Sequence, residues 1–100
     1  MKLKNKKRLL NELSKEATNP KEFIYAVMAL QQQSAEDVVK NVDMTSAHFY
    51  VAMNQIGKGQ GIGTKVCVKI AEGLDIDPVV LNRMIADHNL KCFLEGRRKQ

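Results

Sequence analysis

The chain has 100 residues, 44% of them hydrophobic, no tryptophan, and a formal net charge of +5. This length is typical of one domain with a modest core. Charged residues make up 27% and no apolar run approaches the roughly 20 residues of a membrane span, which excludes a membrane protein. The two cysteines lack CxxC spacing, which favours reduced thiols in a cytoplasmic protein over a disulfide.

The positive charge is concentrated at the two ends of the chain. Residues 1–8 carry five basic side chains and residues 97–99 carry three, which leaves −3 for residues 9–96. Basic terminal arms are a feature of proteins that bind nucleic acid, although a short lysine-rich end can also serve only to keep a small protein soluble. The basic residues of the first arm are Lys2, Lys4, Lys6, Lys7 and Arg8.

Two helices are predicted before residue 34. Leu9, Leu10 and Leu13 form the apolar face of a short N-terminal helix that ends near Ala17. Asn19 precedes a proline and has a glutamate three residues later, which is the pattern of a capped helix start. An apolar stripe then continues to three consecutive glutamines.

Two further helices, joined by a tight turn, are predicted over residues 34–55. Ser34 and Asp37 provide a cap for the first of them, and its apolar face extends as far as Val42. A new capping signal at residues 43–46 starts the second helix, which is expected to cover about 45–55.

Residues 57–63 contain four glycines, and their backbone entropy predicts a loop. Thr64 is expected to cap the next helix, and Asp77 with Pro78 to start the last one. The last helix either continues towards the C-terminus or is broken near Asn89 into a sixth helix. No segment alternates with period two, so the predicted fold class is all-α with five to six short helices.

Residues 35–54 have the pattern of a helix-turn-helix unit. Apolar residues at its fourth, eighth, fifteenth and eighteenth positions let two helices cross steeply and leave the outer face of the second free for the major groove. These residues are Val38, Val42, Phe49 and Ala52. With the helix before the unit and residues 69–77 after it, the chain resembles the lambda-repressor/Cro-like helix-turn-helix regulators of phages and bacteria over about residues 21–84.

Two positions of the unit depart from the family's pattern. Val39 stands where a small residue is usual, and Asp43 stands where glycine is usual. We expect Asp43 to adopt the left-handed conformation that glycine would supply. We also expect the small Ala52 to compensate for the bulk of Val39.

The resemblance implies a sequence-specific regulator of transcription, such as a repressor, that binds a double-stranded DNA operator without a cofactor. It implies that the base edges are contacted by five residues of the second helix: Ser46, Ala47, Tyr50, Val51 and Asn54. It implies that the phosphates are contacted by the first basic arm and by six further residues: Ser34, Thr45, Lys58, Gly59, Thr64 and Lys65. On this interpretation residues 1–18 form the basic arm and a short helix, 19–96 the DNA-binding domain and 97–100 a basic tail.

The resemblance also implies a homodimer on a pseudo-palindromic operator. The C-terminal helical segment carries more apolar residues than so small a core needs, and the dimer surface is expected at Leu81, Ile85, Leu90 and Phe93.

Other function classes fit the sequence less well. The glycine-rich segment lacks a preceding strand and the Ser/Thr that follows lysine in a P-loop. His48 and His88 have no carboxylate pair or nucleophile at catalytic spacing, which argues against an enzyme, and His88 with Cys92 would lack the further ligands of a metal site. A protein-interaction module, such as an antirepressor or the partner of another regulator, stays open because the body of the chain is acidic.

Overall fold

The computed structural model of the chain describes residues 3–16 and 19–98. That part consists of six α-helices and contains no strand, so the predicted all-α fold is confirmed. The helices are α1 Leu3–Glu16, α2 Pro20–Gln31, α3 Ala35–Val39, α4 Ser46–Gly57, α5 Thr64–Leu74 and α6 Pro78–Arg98.

Three helix starts follow from side-chain caps that the sequence predicts. The Asn19 side chain accepts a hydrogen bond from the Glu22 amide at 2.9 Å, and Pro20 occupies the first turn of α2. Ser34 forms a capping box at α3, and the Thr45 hydroxyl accepts from the fourth helix's first turn. Each cap satisfies an amide that the helix itself leaves without a partner.

The short helix α3 ends earlier than predicted. It covers only five residues, and the chain turns through residues 40–43 before Thr45 caps α4. The expectation that Asp43 is left-handed is wrong, because the only non-glycine residues with positive φ in the described chain are Gln32 and Asp75. Both end a helix, at φ 56°.

The last two helices differ from the prediction in two details. Thr64 is the first residue of α5 and not its cap, because Gly63 occupies the N-cap position and supplies no side-chain acceptor. Asp77 accepts a hydrogen bond from the Val79 amide at 2.9 Å at the start of α6. That helix continues through Asn89 without a break as far as Arg98.

The core lies between α2, α3, α4, α5 and α6. Its largest fully buried side chains include Phe49, Ile24, Met53, Ile56, Ile70, Leu74 and Leu81. Val39 and Ala52 are both buried in this cluster, and α1 adds the half-buried Leu10 and Leu13 at its edge. No polar or charged side chain is buried among the described residues, so apolar packing dominates the stability of the fold.

Candidate nucleic-acid interface

The exposed face of α4 is the main candidate site. Tyr50 and Val51 are 52% and 53% exposed, and Ala47 and Asn54 are exposed beside them at helical spacing. The opposite face of the same helix is buried in the core through Phe49, Ala52, Met53 and Ile56. Four of the five residues expected to contact bases therefore share one open surface, while Ser46 is half-buried at the start of the helix.

A lysine of α5 holds the turn that leads into α4. The Lys69 ammonium donates to the Asp43 carbonyl oxygen at 2.8 Å, and its distance to the Asp43 carboxylate is 3.9 Å. This contact joins residues 26 positions apart. Nothing in the sequence singles out Lys69 as a site residue, because a lone lysine on a helix gives no sign of which distant carbonyl it meets.

The helices α3 and α5 approach closely at Gly73. A methyl group on Gly73 would overlap the Val38 carbonyl oxygen and lie 2.9 Å from Val38 Cγ1. Beside this contact, the Gln31 side chain donates to the Leu74 carbonyl at 2.8 Å and the Gln33 side chain to the Gly73 carbonyl at 3.1 Å. These bonds satisfy carbonyls in the last turn of α5 and join that turn to the end of α2.

The N-terminus of α3 is not free for a phosphate. The Ser34 hydroxyl accepts from the Asp37 amide at 3.2 Å and donates to the Asp37 carboxylate at 2.9 Å. The backbone amide of Ser34, and then its hydroxyl, hold the pKa of the Asp37 carboxyl below its ordinary value. A carboxylate therefore already occupies this helix end, and it would repel the phosphate that was expected at Ser34.

The N-terminus of α5 has a different character. Its cap residue, Gly63, supplies no side-chain acceptor, and Thr64 and Lys65 are exposed in the first turn. Lys58 and Thr45 are exposed as well. Amides without a side-chain cap, with nearby lysines, are compatible with an anion at this end of the helix.

Gly59, expected at a phosphate, is held by contacts within the chain. Its amide donates to the Ile56 carbonyl at 3.1 Å, so that amide is already bonded at the end of α4. Its φ is +78°, and a Cβ there would lie 2.6 Å from Cys92 Cβ. In the orientation that satisfies its amide, the Asn89 side chain donates to the Gly59 carbonyl at 3.1 Å. Glycine is needed here for the backbone conformation and for contact with α6.

The first basic arm is only partly described. Lys2 and the side chains of Lys4, Lys6 and Lys7 lie outside the described residues, while the backbone from Leu3 onward belongs to α1. The backbone of the first basic arm is therefore helical from its third residue. Arg8 is exposed and lies 3.6 Å from the exposed carboxylate of Glu12, a pair of small energetic weight.

The expected dimer surface is wrong at two of its four positions. Leu81 is fully buried and Ile85 is 5% exposed, because both pack into the core of the same chain. Leu90 and Phe93, which are 58% and 61% exposed, remain available.

The remaining sequence candidates form no further site. Cys92 Sγ lies 3.5 Å from His88 Nε2, and among the described residues no group of three or more metal-ligating side chains comes together. His48 is exposed on α4. No helix in the described chain is long and apolar enough to cross a membrane.

Comparison with known proteins gives no relative. No model of a known protein family matches the chain, and no curated protein and no solved structure is significantly similar to it.

Proposed function

We propose that this protein is a sequence-specific double-stranded DNA-binding regulator of transcription whose helix α4 enters the major groove. The observation that carries the proposal is the exposed face of α4, Ala47, Tyr50, Val51 and Asn54, directly after a short capped helix and a tight turn. A major groove about 12 Å wide admits such a helix when its outer face is unobstructed.

The side chains of that face suit particular base edges. Ala47 and Val51 can contact thymine methyl groups, while Asn54 can form a bidentate pair with adenine. Tyr50 can donate or accept a hydrogen bond at a base edge or phosphate. The face carries no arginine or glutamine, so DNA shape would contribute much of the specificity.

Phosphate contacts are proposed at the N-terminus of α5, with Lys58 and Lys65, and along the basic segment of α1. These charges supply affinity without sequence information. The unit would act as a homodimer, because two copies of α4 can address the two halves of a pseudo-palindromic operator. Leu90 and Phe93 are the exposed apolar residues that support such pairing.

The base-reading role is tested by selecting an operator from a random duplex pool and then measuring binding of variants. Tyr50→Ala with Val51→Ala should reduce the preference for the selected operator at least about 10-fold, since each base contact is worth about 1–3 kcal/mol. The control is Tyr25→Ala, because Tyr25 is a tyrosine 40% exposed on α2, outside the helix-turn-helix unit. Equal losses in the two proteins, or an unchanged preference, would exclude α4 as the reading helix.

The phosphate role is tested by the salt dependence of affinity. Lys65→Gln should flatten the slope of log affinity against log salt by about 0.9 if its ammonium neutralises one phosphate. Lys91→Gln makes the same charge change at an exposed position of α6 and should leave the slope unchanged. If both variants shift the slope equally, the effect is one of net charge and the proposed position of α5 is wrong.

A protein-interaction module is the second candidate function. The exposed face of α4 is largely apolar, and residues 9–96 carry a net −3, which does not favour a polyanion. Measurements of duplex binding at low and moderate salt separate the two. Absence of binding even at low salt would favour a protein partner for the same face of α4.

A further inference from the structure

Helix α6 is apolar on two sides. One side packs into the core through Leu81 and Ile85. The other side faces away from the core and exposes Val79, Leu90 and Phe93, which are 63%, 58% and 61% exposed. A helix with apolar residues on both sides is normally covered on both.

The outward residues follow a regular spacing along the 21-residue helix. From Val79 onward, alternating steps of four and three residues give one exposed stripe: Val79, Arg83, Ala86, Leu90, Phe93 and Arg97. Such steps keep side chains on one face and are the spacing of helices that pair along their length. The Arg97 guanidinium lies 5.9 Å from the centre of the Phe93 ring, which places it on the same stripe.

We propose that this stripe, the α6 seam, pairs with the α6 seam of a second copy of the chain in an antiparallel arrangement. The charges on the seam select this direction. A parallel pair in register would set Arg83 against Arg83 and Arg97 against Arg97, and like charges in direct opposition are unfavourable. In an antiparallel pair these arginines are far from their own copies.

One antiparallel register matches both the shapes and the charges of the seam between Ala86 and Arg97. It sets Leu90 against the partner's Phe93, twice by symmetry, so the two largest exposed apolar side chains of the seam cover each other. It also sets the small Ala86 against the partner's Arg97, where the arginine stem has room and its guanidinium reaches Asp87, the exposed neighbour of Ala86. This pairing rests on the proposed function, because it specifies how the homodimer forms. Its test contains no DNA, so failure of the α6 pairing can be distinguished from failure of DNA binding.

The experiment measures the dimer dissociation constant by sedimentation equilibrium for wild type, Asp87→Arg, Arg97→Asp and the double variant. Each single change places like charges together at two symmetric sites and should weaken dimerisation at least about 10-fold. The double variant restores opposite charges and should return to within about 3-fold of wild type. In a parallel dimer the residues at 87 and 97 are remote from each other, and no restoration would occur.

Matched controls have the same charge change on exposed residues of α6 that lie off the seam. Glu95→Arg matches Asp87→Arg, and Lys91→Asp matches Arg97→Asp; both controls should leave the dissociation constant unchanged. Leu90→Asp should give a monomer with wild-type helicity, since Leu90 lies outside the core. A wild-type chain that stays monomeric at several hundred micromolar, or a double variant no better than its parents, would overturn the proposal.

Discussion

Replacing Gly73 with alanine should destabilise the protein, although alanine is the better helix former. Gly73 lies inside α5, where the exchange alone would stabilise by up to about 1 kcal/mol. The added methyl group, however, would overlap the Val38 carbonyl oxygen and approach Val38 Cγ1 to 2.9 Å. Because a backbone atom must move, we expect a steric cost near the upper end of overpacking, about 3 kcal/mol.

The net loss of unfolding free energy is then about 2 kcal/mol. For a domain of this size each kcal/mol corresponds to roughly 4–8 °C, so the melting temperature should fall by about 8–16 °C. Urea unfolding followed by circular dichroism at 222 nm measures the free energy directly, and an unchanged m-value would show that the denatured state is unaffected.

Gly96→Ala is the matched control. Gly96 also lies in a helix, but beyond its chain neighbours and its own helix backbone, no described atom comes within 4 Å of the position a Cβ would take. This variant should be as stable as wild type or slightly more stable. The close contact of α3 with α5 would be refuted if Gly73→Ala unfolded at the same urea concentration as Gly96→Ala.

Three further outcomes are expected. Leu81→Ala should cost about 2–5 kcal/mol of unfolding free energy, because Leu81 is fully buried. Leu90→Ala should change the stability of the monomer by less than about 0.5 kcal/mol, because Leu90 is exposed. Chemical denaturation of dilute protein tests both. The pKa of the Asp37 carboxyl is lowered in the folded protein, so the ionised carboxylate stabilises the fold above about pH 4, and this stabilisation is lost as pH falls through the folded pKa. Between about pH 5 and 3, the melting temperature of Asp37→Asn should therefore fall less than that of wild type. Lys69→Met should increase hydrogen exchange at the amides of the turn before α4 while α6 is unchanged, and equal exchange in the turn would show that the 2.8 Å contact has no positioning role.

The sequence by itself predicted much of the local structure. Asn19, Ser34 and Thr45 cap their helices as expected, because a cap needs only the residue and the amides of the next turn. The exposed face of α4 could be predicted for the same reason, since helical spacing alone separates Ala47, Tyr50 and Val51 from the buried Phe49.

Only the tertiary structure decided which elements meet. The spacing of apolar residues gives α6 two apolar stripes, and nothing within the helix shows which of them enters the core. Packing against α5 and α2 buries Leu81 and Ile85 and leaves Leu90 and Phe93 exposed. The contact of Lys69 with the Asp43 carbonyl joins segments 26 residues apart. Such contacts depend on the relative positions of whole helices, which local propensities do not determine, because they arise from the packing of the complete core.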